Sequence, residues 1–145
     1  LPNLHFLRGD AESLPFEDSA FDVIVNVESS HCYGSMERFL GEVRRVLRQR
    51  GHLLLADFRA ADAIADLERS LAQSGFEVLA RRDISRQVFA ALRQQGPRRR
   101  KLILDHAPSV LHAVLGDFAS LEGSNTYLSF KTGGFRYLSY ILLRR

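Results

Sequence analysis

The chain has 145 residues, 46% hydrophobic and 26% charged, with ten glycines, four prolines and one cysteine. That is enough for one domain with a sizeable core, and it excludes a low-complexity chain or a small disulfide-stapled scaffold. The net charge of +3 is modest, and no apolar run reaches the roughly 18 residues of a membrane span, so no transmembrane segment is expected.

His5-Phe6-Leu7 predicts a short strand that stops at Gly9-Asp10. Phe21 to Val27 is apolar, valine-rich and flanked by polar turns. A strand buried on both faces reads this way, which implies a parallel sheet. From Met36 to Leu47 a helix is predicted, because Phe39, Leu40, Val43, Val46 and Leu47 fall on one stripe. Ser35 is its N-cap, with Arg38 where a capping box would carry Glu. The turn Arg48-Gln49-Arg50-Gly51 gives Gly51 the position that needs positive φ, and His52 to Ala56 forms the next buried strand. Ala61 to Ser74 is a second helix closed by Gly75, and Phe76 to Ala80 is a strand. Ile84 to Gln95 is a third helix that Gly96-Pro97 stops. Leu102 to Leu115 is helical and broken or kinked at Pro108. Leu121 to Gly134 is loop with a short helical piece, and Phe135 to Leu143 is the last strand. Strands alternate with helices up to about residue 95, so the class is α/β with a largely parallel sheet.

The candidate chemistry lies where strands end, since ligands of open α/β sheets sit beyond the carboxyl ends of the strands. Asp10 follows such a strand. Its carboxylate can accept from an exocyclic amine while the Ala11 N–H reaches a ring nitrogen, a pair that reads an adenine edge. The plainer alternative is a strand-ending turn with Asp10 as a local cap. Asn26-Val27-Glu28-Ser29-Ser30-His31-Cys32-Tyr33 leaves the second strand with an unusual density of hydrogen-bonding groups. His31 is a candidate general base and Glu28 a candidate active-site carboxylate. The alternative is that Glu28 and His31 pair only with each other or with the loop backbone. Asp57-Phe58-Arg59 ends the next strand at the same rim and is placed to line a substrate pocket. Glu122 to Tyr137 is polar and aromatic-rich, which suits either a pocket for a bulky, partly apolar molecule or plain core. No metal site is expected, because the five histidines are scattered and Cys32 beside His31 lacks zinc spacing.

The cations are concentrated in Arg98-Arg99-Arg100-Lys101, Arg81-Arg82 and Arg144-Arg145. Such runs read first as solvated faces, and otherwise as attraction for an anionic substrate, an acidic carrier or a membrane surface. A nucleic-acid module would interleave basic residues with exposed aromatics. Here most aromatics fall at strand or pocket positions, so no nucleic-acid partner is expected. The opening Leu1-Pro2-Asn3-Leu4-His5 has neither the basic nor the apolar region of a signal peptide, and Cys32 has no cysteine to pair with. Both point to a cytoplasmic setting.

Gly9-Asp10-Ala11-Glu12-Ser13-Leu14-Pro15-Phe16, followed at this spacing by Phe21-Asp22-Val23-Ile24-Val25-Asn26-Val27, resembles the middle of the class I methyltransferases, which use S-adenosylmethionine. Phe39 to Arg48 is similar to that family's helix leading to a Pro-Gly-Gly turn, of which Gly51 alone remains. The loop Asn26–Tyr33 and the segment Glu122–Tyr137 resemble the phthiotriolone dimycocerosate type, whose members O-methylate long polyketide or lipid alcohols. The resemblance implies a partial Rossmann-like sheet, mostly parallel with an antiparallel last strand. It makes residues 1–145 the C-terminal portion of the methyltransferase domain, with 95–134 as a substrate-side insertion. It assigns Gly9, Asp10, Ala11, Asn26 and Val27 to S-adenosylmethionine, His31 and Glu28 to catalysis, and a small-molecule or lipid-like acceptor as partner. The family's first strands and its glycine-rich turn then fall before Leu1. Phe21–Val27 becomes a sheet edge, and the segment before about residue 20 is expected to be disordered or loosely docked. The two functional readings are therefore an O-methyltransferase and an inactive methyltransferase fragment or binding remnant.

Overall fold

The computed structural model describes residues 3–145, and Leu1 and Pro2 lie outside it. Strand β1 is Phe21–Val27, followed by a 3-10 turn at Ser30–Cys32 and helix α1 at Met36–Val46. Strand β2 is Leu47–Ala60, and a 3-10 turn at Ala61–Ala63 leads into α2 at Ile64–Gln73. Strand β3 is Phe76–Asp83 and α3 is Ser85–His106. A 3-10 turn at Ser109–Leu111, α4 at His112–Phe118, α5 at Asn125–Thr132 and β4 at Phe135–Arg144 complete the order. The four strands form a mixed sheet in the order β1-β2-β4-β3, with β1 parallel to β2. The last strand of the chain thus pairs between β2 and β3.

The chain divides into two compact units. The first comprises Leu1–Asp57, Ala65–Arg81 and Ser139–Arg145. Its core follows the predicted α1 stripe: Phe39, Leu40, Val43 and Val46 are buried, together with Leu47, Leu53, Leu55, Leu67 and Leu71. Each such side chain contributes on the order of 1.5–3 kcal/mol when taken fully from water. The Ser35 hydroxyl accepts from the Arg38 N–H at 3.2 Å, so the predicted cap forms without a capping-box Glu. The second unit comprises Phe58–Ile64 and Arg82–Leu138. There Phe58, Phe130 and Phe135 form a triangle of rings with centroids 5.2 to 5.8 Å apart, and Tyr127 and Tyr137 are buried.

Several expectations are corrected. His5–Leu7 forms no strand, and Phe6 and Leu7 stay exposed. A lone extended segment has no ladder to satisfy its backbone groups, so nothing holds it in register. Phe21–Val27 does form a strand at the sheet edge, but it is not buried on both faces. Val23, Val25 and Val27 are 51%, 64% and 55% exposed, whereas Asn26 is buried. The left-handed residue of the turn inside β2 is Arg50, at φ 64°, rather than Gly51. Gly51 is needed for space, because a Cβ there would sit 2.8 Å from the Arg48 carbonyl oxygen and 3.1 Å from that of Asp22. Helix α3 runs through Gly96-Pro97 to His106 instead of stopping at Gln95. The proline removes one N–H. Its usual clash with the preceding Cβ is absent because that residue is glycine. The helical piece expected in Leu121–Gly134 is α5, capped by Ser124 and closed by Gly133 at φ 81°. The chain breaks at Pro108 as expected, between α3 and the turn Ser109–Leu111.

The segment before residue 20 is also not loosely docked throughout. From α1, Glu42 Oε2 accepts from the Leu14 N–H at 2.7 Å. The Arg45 guanidinium donates to Glu42, to the carbonyls of Leu14 and Phe16, and to Asp18, all at 2.8–2.9 Å. Glu12 Oε1 accepts from the Ser35 N–H at 2.9 Å, and Phe16 meets Phe21 edge to face at 4.8 Å. These bonds satisfy loop backbone that has no ladder of its own. The arginine beside it, and secondarily the Leu14 N–H, hold the Glu42 carboxyl below its ordinary value of 4.5 against an opposing contribution from burial. Such a group stabilises the fold fully above its unfolded value and loses that contribution as pH falls through its folded one. Arg45→Lys keeps the charge but loses the planar fork. It is expected to lower the midpoint of urea unfolding and to speed amide exchange over Leu14–Ser19. The difference between variant and wild type should shrink as pH falls below 4.5 and through the lowered folded value of Glu42, where the carboxyl takes up its proton.

Candidate active site

In the register of β1 with β2, Asn26 faces Leu55 and Val27 faces Ala56. The ladder is extended by one bond, from the Glu28 N–H to the Ala56 carbonyl at 3.0 Å. Parallel strands bring both carboxyl ends to one rim, so the loop leaving β1 lies beside Asp57, one residue beyond Ala56. Glu28 then turns the chain at φ 51°, an uncommon value for a residue with a side chain. Residues Ser30–Cys32 wind into the 3-10 turn, closed by a bond from the Cys32 N–H to the Ser29 carbonyl at 3.0 Å.

This turn is organised around Asp57, which is 2% exposed. One carboxylate oxygen accepts from the Ser30 hydroxyl at 2.6 Å and from the His31 N–H at 2.9 Å. The other lies 2.8 Å from His31 Nδ1. A carboxylate accepts and does not donate, so Nδ1 carries the proton and the basic lone pair of the neutral ring belongs to Nε2. The His31 side chain keeps 27% of its surface exposed. A base whose tautomer is set by a buried acid is the arrangement that general-base chemistry uses.

Beside this pair, buried Asn26 donates from Nδ2 to the Tyr33 hydroxyl at 2.8 Å, and Ser29 Oγ lies 2.9 Å from the same hydroxyl. The Tyr33 ring packs on Phe39 at 4.9 Å. Asn26 Oδ1 is buried with no hydrogen-bond partner among the described residues. A buried acceptor left over at a strand end fits a ligand that brings a donor, such as an ammonium or a ribose hydroxyl.

The expected site residues separate into three places. Asn26 and His31 join one network with Ser29, Ser30, Tyr33 and Asp57. Asp10 is exposed and uses Oδ1 to accept from the Glu12 N–H at 2.9 Å, the local cap of the plainer reading. Oδ1 alone makes that contact, and half-buried Ala11 follows in the same turn. Gly9 admits Pro15, whose ring would stand 3.0 Å from an added Cβ. Val27 is an exposed register position of β1. The Glu28 side chain is exposed and makes no hydrogen bond or ion pair among the described residues, so the Glu28–His31 pair does not form. The anchoring role of Asp57 toward Ser30 and His31 escapes a reading of the sequence, in which 26 positions separate Asp57 from His31. The signal available was an Asp at the end of an apolar strand. In the aromatic segment, Tyr137 is core, whereas Tyr127 and Glu122 line a cavity of about 660 Å³ in the second unit.

Asp57→Asn replaces one accepting oxygen by a donor facing donors. The change is expected to cost about 1–3 kcal/mol in denaturant unfolding and to accelerate amide exchange at His31.

Residues 1–55 match a family model described as a methyltransferase domain. The phthiotriol/phenolphthiotriol dimycocerosates methyltransferase of Mycobacterium leprae (strain TN) is 38% identical over 140 residues, covering 97% of this chain and 52% of the relative. A fatty-acid O-methyltransferase of Mycolicibacterium smegmatis (strain ATCC 700084 / mc(2)155) is 32% identical over 141 residues, with the same two coverages. Among solved structures, the O-methyltransferase of a trans-AT PKS multienzyme of Brevibacillus brevis, in complex with S-adenosyl-L-homocysteine, superposes with a TM-score of 0.70 at 19% identity. The superposition covers 94% of this chain and 48% of that one. The chain spans about half the length of the curated relatives it matches. Sequence and fold together place it with the class I methyltransferases, in the part of them that resembles the phthiotriol dimycocerosates type.

Proposed function

We propose that this chain is part of an S-adenosylmethionine-dependent enzyme that methylates a hydroxyl of a lipid-like or polyketide alcohol. The observation that carries the reading is the His31–Asp57 pair at the shared carboxyl rim of β1 and β2. The named activities of the relatives support the cofactor and the acceptor class. When bound, the cofactor supplies a methyl group already activated by a sulfonium. The protein's main task is then alignment, with deprotonation added for an alcohol.

Each residue has a part in this reading. The Asp10 carboxylate and the Ala11 N–H read the adenine edge, next to Gly9. Asn26, whose Oδ1 lacks a partner, receives a donor from the amino-acid end, with Val27 beside it on the strand. His31 takes the acceptor's hydroxyl proton at Nε2, and Asp57 stabilises the imidazolium that results by accepting from Nδ1–H. Glu28, exposed on the same loop, offers a carboxylate to the acceptor. Residues 95–134 form the substrate-side insertion. The rival reading, an inactive methyltransferase portion, shares the fold and lacks only the turnover.

In the whole protein, His31→Ala is expected to lower kcat by about 10²–10⁴-fold while leaving cofactor affinity near wild type. Product analysis with labelled cofactor and a panel of lipid alcohols reads this. A variant with wild-type turnover at saturating acceptor would reduce His31 to a loop residue. Asp10→Ala should do the opposite, weakening cofactor binding by about 1–3 kcal/mol in calorimetry with the fold intact. The 145 residues alone are expected to bind the cofactor weakly and to give no measurable turnover. What they offer it is one exposed carboxylate, one backbone N–H and one buried amide.

A further inference from the structure

We propose that residues Arg98–Phe118, in the second unit, form a docking surface for an anionic bilayer. The first observation is an apolar stripe that its own unit leaves uncovered. Val110, Val114 and Phe118 recur every fourth residue along the turn Ser109–Leu111 and α4, and they are 80%, 67% and 88% exposed. Leu111, on the same side, is 45% exposed. The opposite side of α4 carries buried Gly116 and half-buried Leu115 and packs against α3 and α5. A helix that buries its small residues and presents Val and Phe to water inverts the usual soluble pattern.

The second observation is charge. The run Arg98-Arg99-Arg100-Lys101 lies on α3. Arg99 donates to the Ala119 carbonyl at 3.1 Å, which brings the run against the end of α4, one residue past Phe118. Lys101 is paired with Asp105 at 2.6 Å. Arg98 and Arg100 are exposed and make no ion pair among the described residues. One turn on from each stands an exposed leucine, Leu102 at 51% and Leu104 at 57%. Over residues 98–118 four cations face two carboxylates, Asp105 and Asp117. Arginines and exposed leucines on α3, with an apolar stripe on the neighbouring α4 whose end Arg99 reaches, match a surface that is anionic at the headgroups and apolar just beneath. A protein partner of ordinary composition would satisfy the stripe and leave the two arginines without counterparts. This inference stands apart from the methyl-transfer reading and does not depend on it.

The test is flotation of the 145-residue chain, and of the whole protein, with vesicles of phosphatidylcholine alone or with about one third phosphatidylglycerol. Binding is expected to the anionic vesicles only and to weaken with salt. Arg98→Gln with Arg100→Gln should weaken it by about 30-fold, near five-fold for each cation lost. Val114→Asp with Phe118→Asp should weaken it by at least about 10-fold. Far-UV circular dichroism, together with an unchanged Arg81–Glu68 side of the first unit in amide exchange, verifies that each variant is folded. The conservative pair Val114→Ser with Phe118→Ser serves if the aspartates unfold the chain. Absence of binding to anionic vesicles, equal binding to neutral ones, or binding unchanged by both pairs of substitutions would overturn the proposal. So would the whole protein failing to bind where the chain alone binds, because the stripe would then be covered within the longer protein. A chain that self-associates through Val114 and Phe118 without binding vesicles would assign the stripe to a second copy.

Discussion

One buried carboxylate decides the geometry of the candidate site. Asp57 sits in the carboxyl-terminal part of β2 with almost no exposure, and a charge in that position must be matched by donors. Two consecutive residues of the β1 loop supply three: the Ser30 hydroxyl, the His31 N–H and the His31 ring. The loop therefore has little freedom in how it leaves β1. The left-handed turn at Glu28, the 3-10 turn that follows, and the placement of Tyr33 against Asn26 and Phe39 are compatible with that one attachment. The same bonds that hold the loop also set the proton on Nδ1 of His31, so the fold of the loop and the tautomer of its histidine are fixed together.

A second attachment serves the segment before β1. Residues 10–19 have no sheet to join, and Glu42 and Arg45 of α1 supply the partners in its place. Because α1 also buries Phe39, Leu40, Val43 and Val46, the helix is the common support of both loops. Its inward face fixes it to the sheet, while its polar flank holds the acidic turn. Asp10, the adenine-reading candidate, belongs to this clamped segment, Asn26 to β1, and His31 to the loop that ends at the α1 cap.

Much of the fold was legible because it depends on local rules. The α1 stripe and its Ser35 cap, the break at Pro108, the Gly75 turn and the last strand follow from periodicity and from what Ser, Pro and Gly do to backbone. Where local rules competed, they misled. Gly96-Pro97 reads as a stop, yet the exposed α3 passes through it, and glycine before proline at least removes the clash with a preceding Cβ. Gly51 reads as a left-handed turn, yet steric crowding is what requires it and Arg50 takes the positive φ. His5–Leu7 reads as a strand, but a strand exists only where a neighbour supplies its hydrogen bonds.

By itself, then, the sequence determined the α/β class, the order of the elements, the family resemblance and the loop on which His31 stands. Those properties are written in spacing and residue type within a few positions. Only the tertiary structure decided that His31 pairs with Asp57 and not with Glu28, that Arg45 gathers the preceding loop, and that Val110, Val114 and Phe118 lie bare on a helix whose end Arg99 reaches. Each of these joins residues through strand register or helix packing. Which buried charge meets which donor is set by where the backbone places them, a quantity that no local pattern carries.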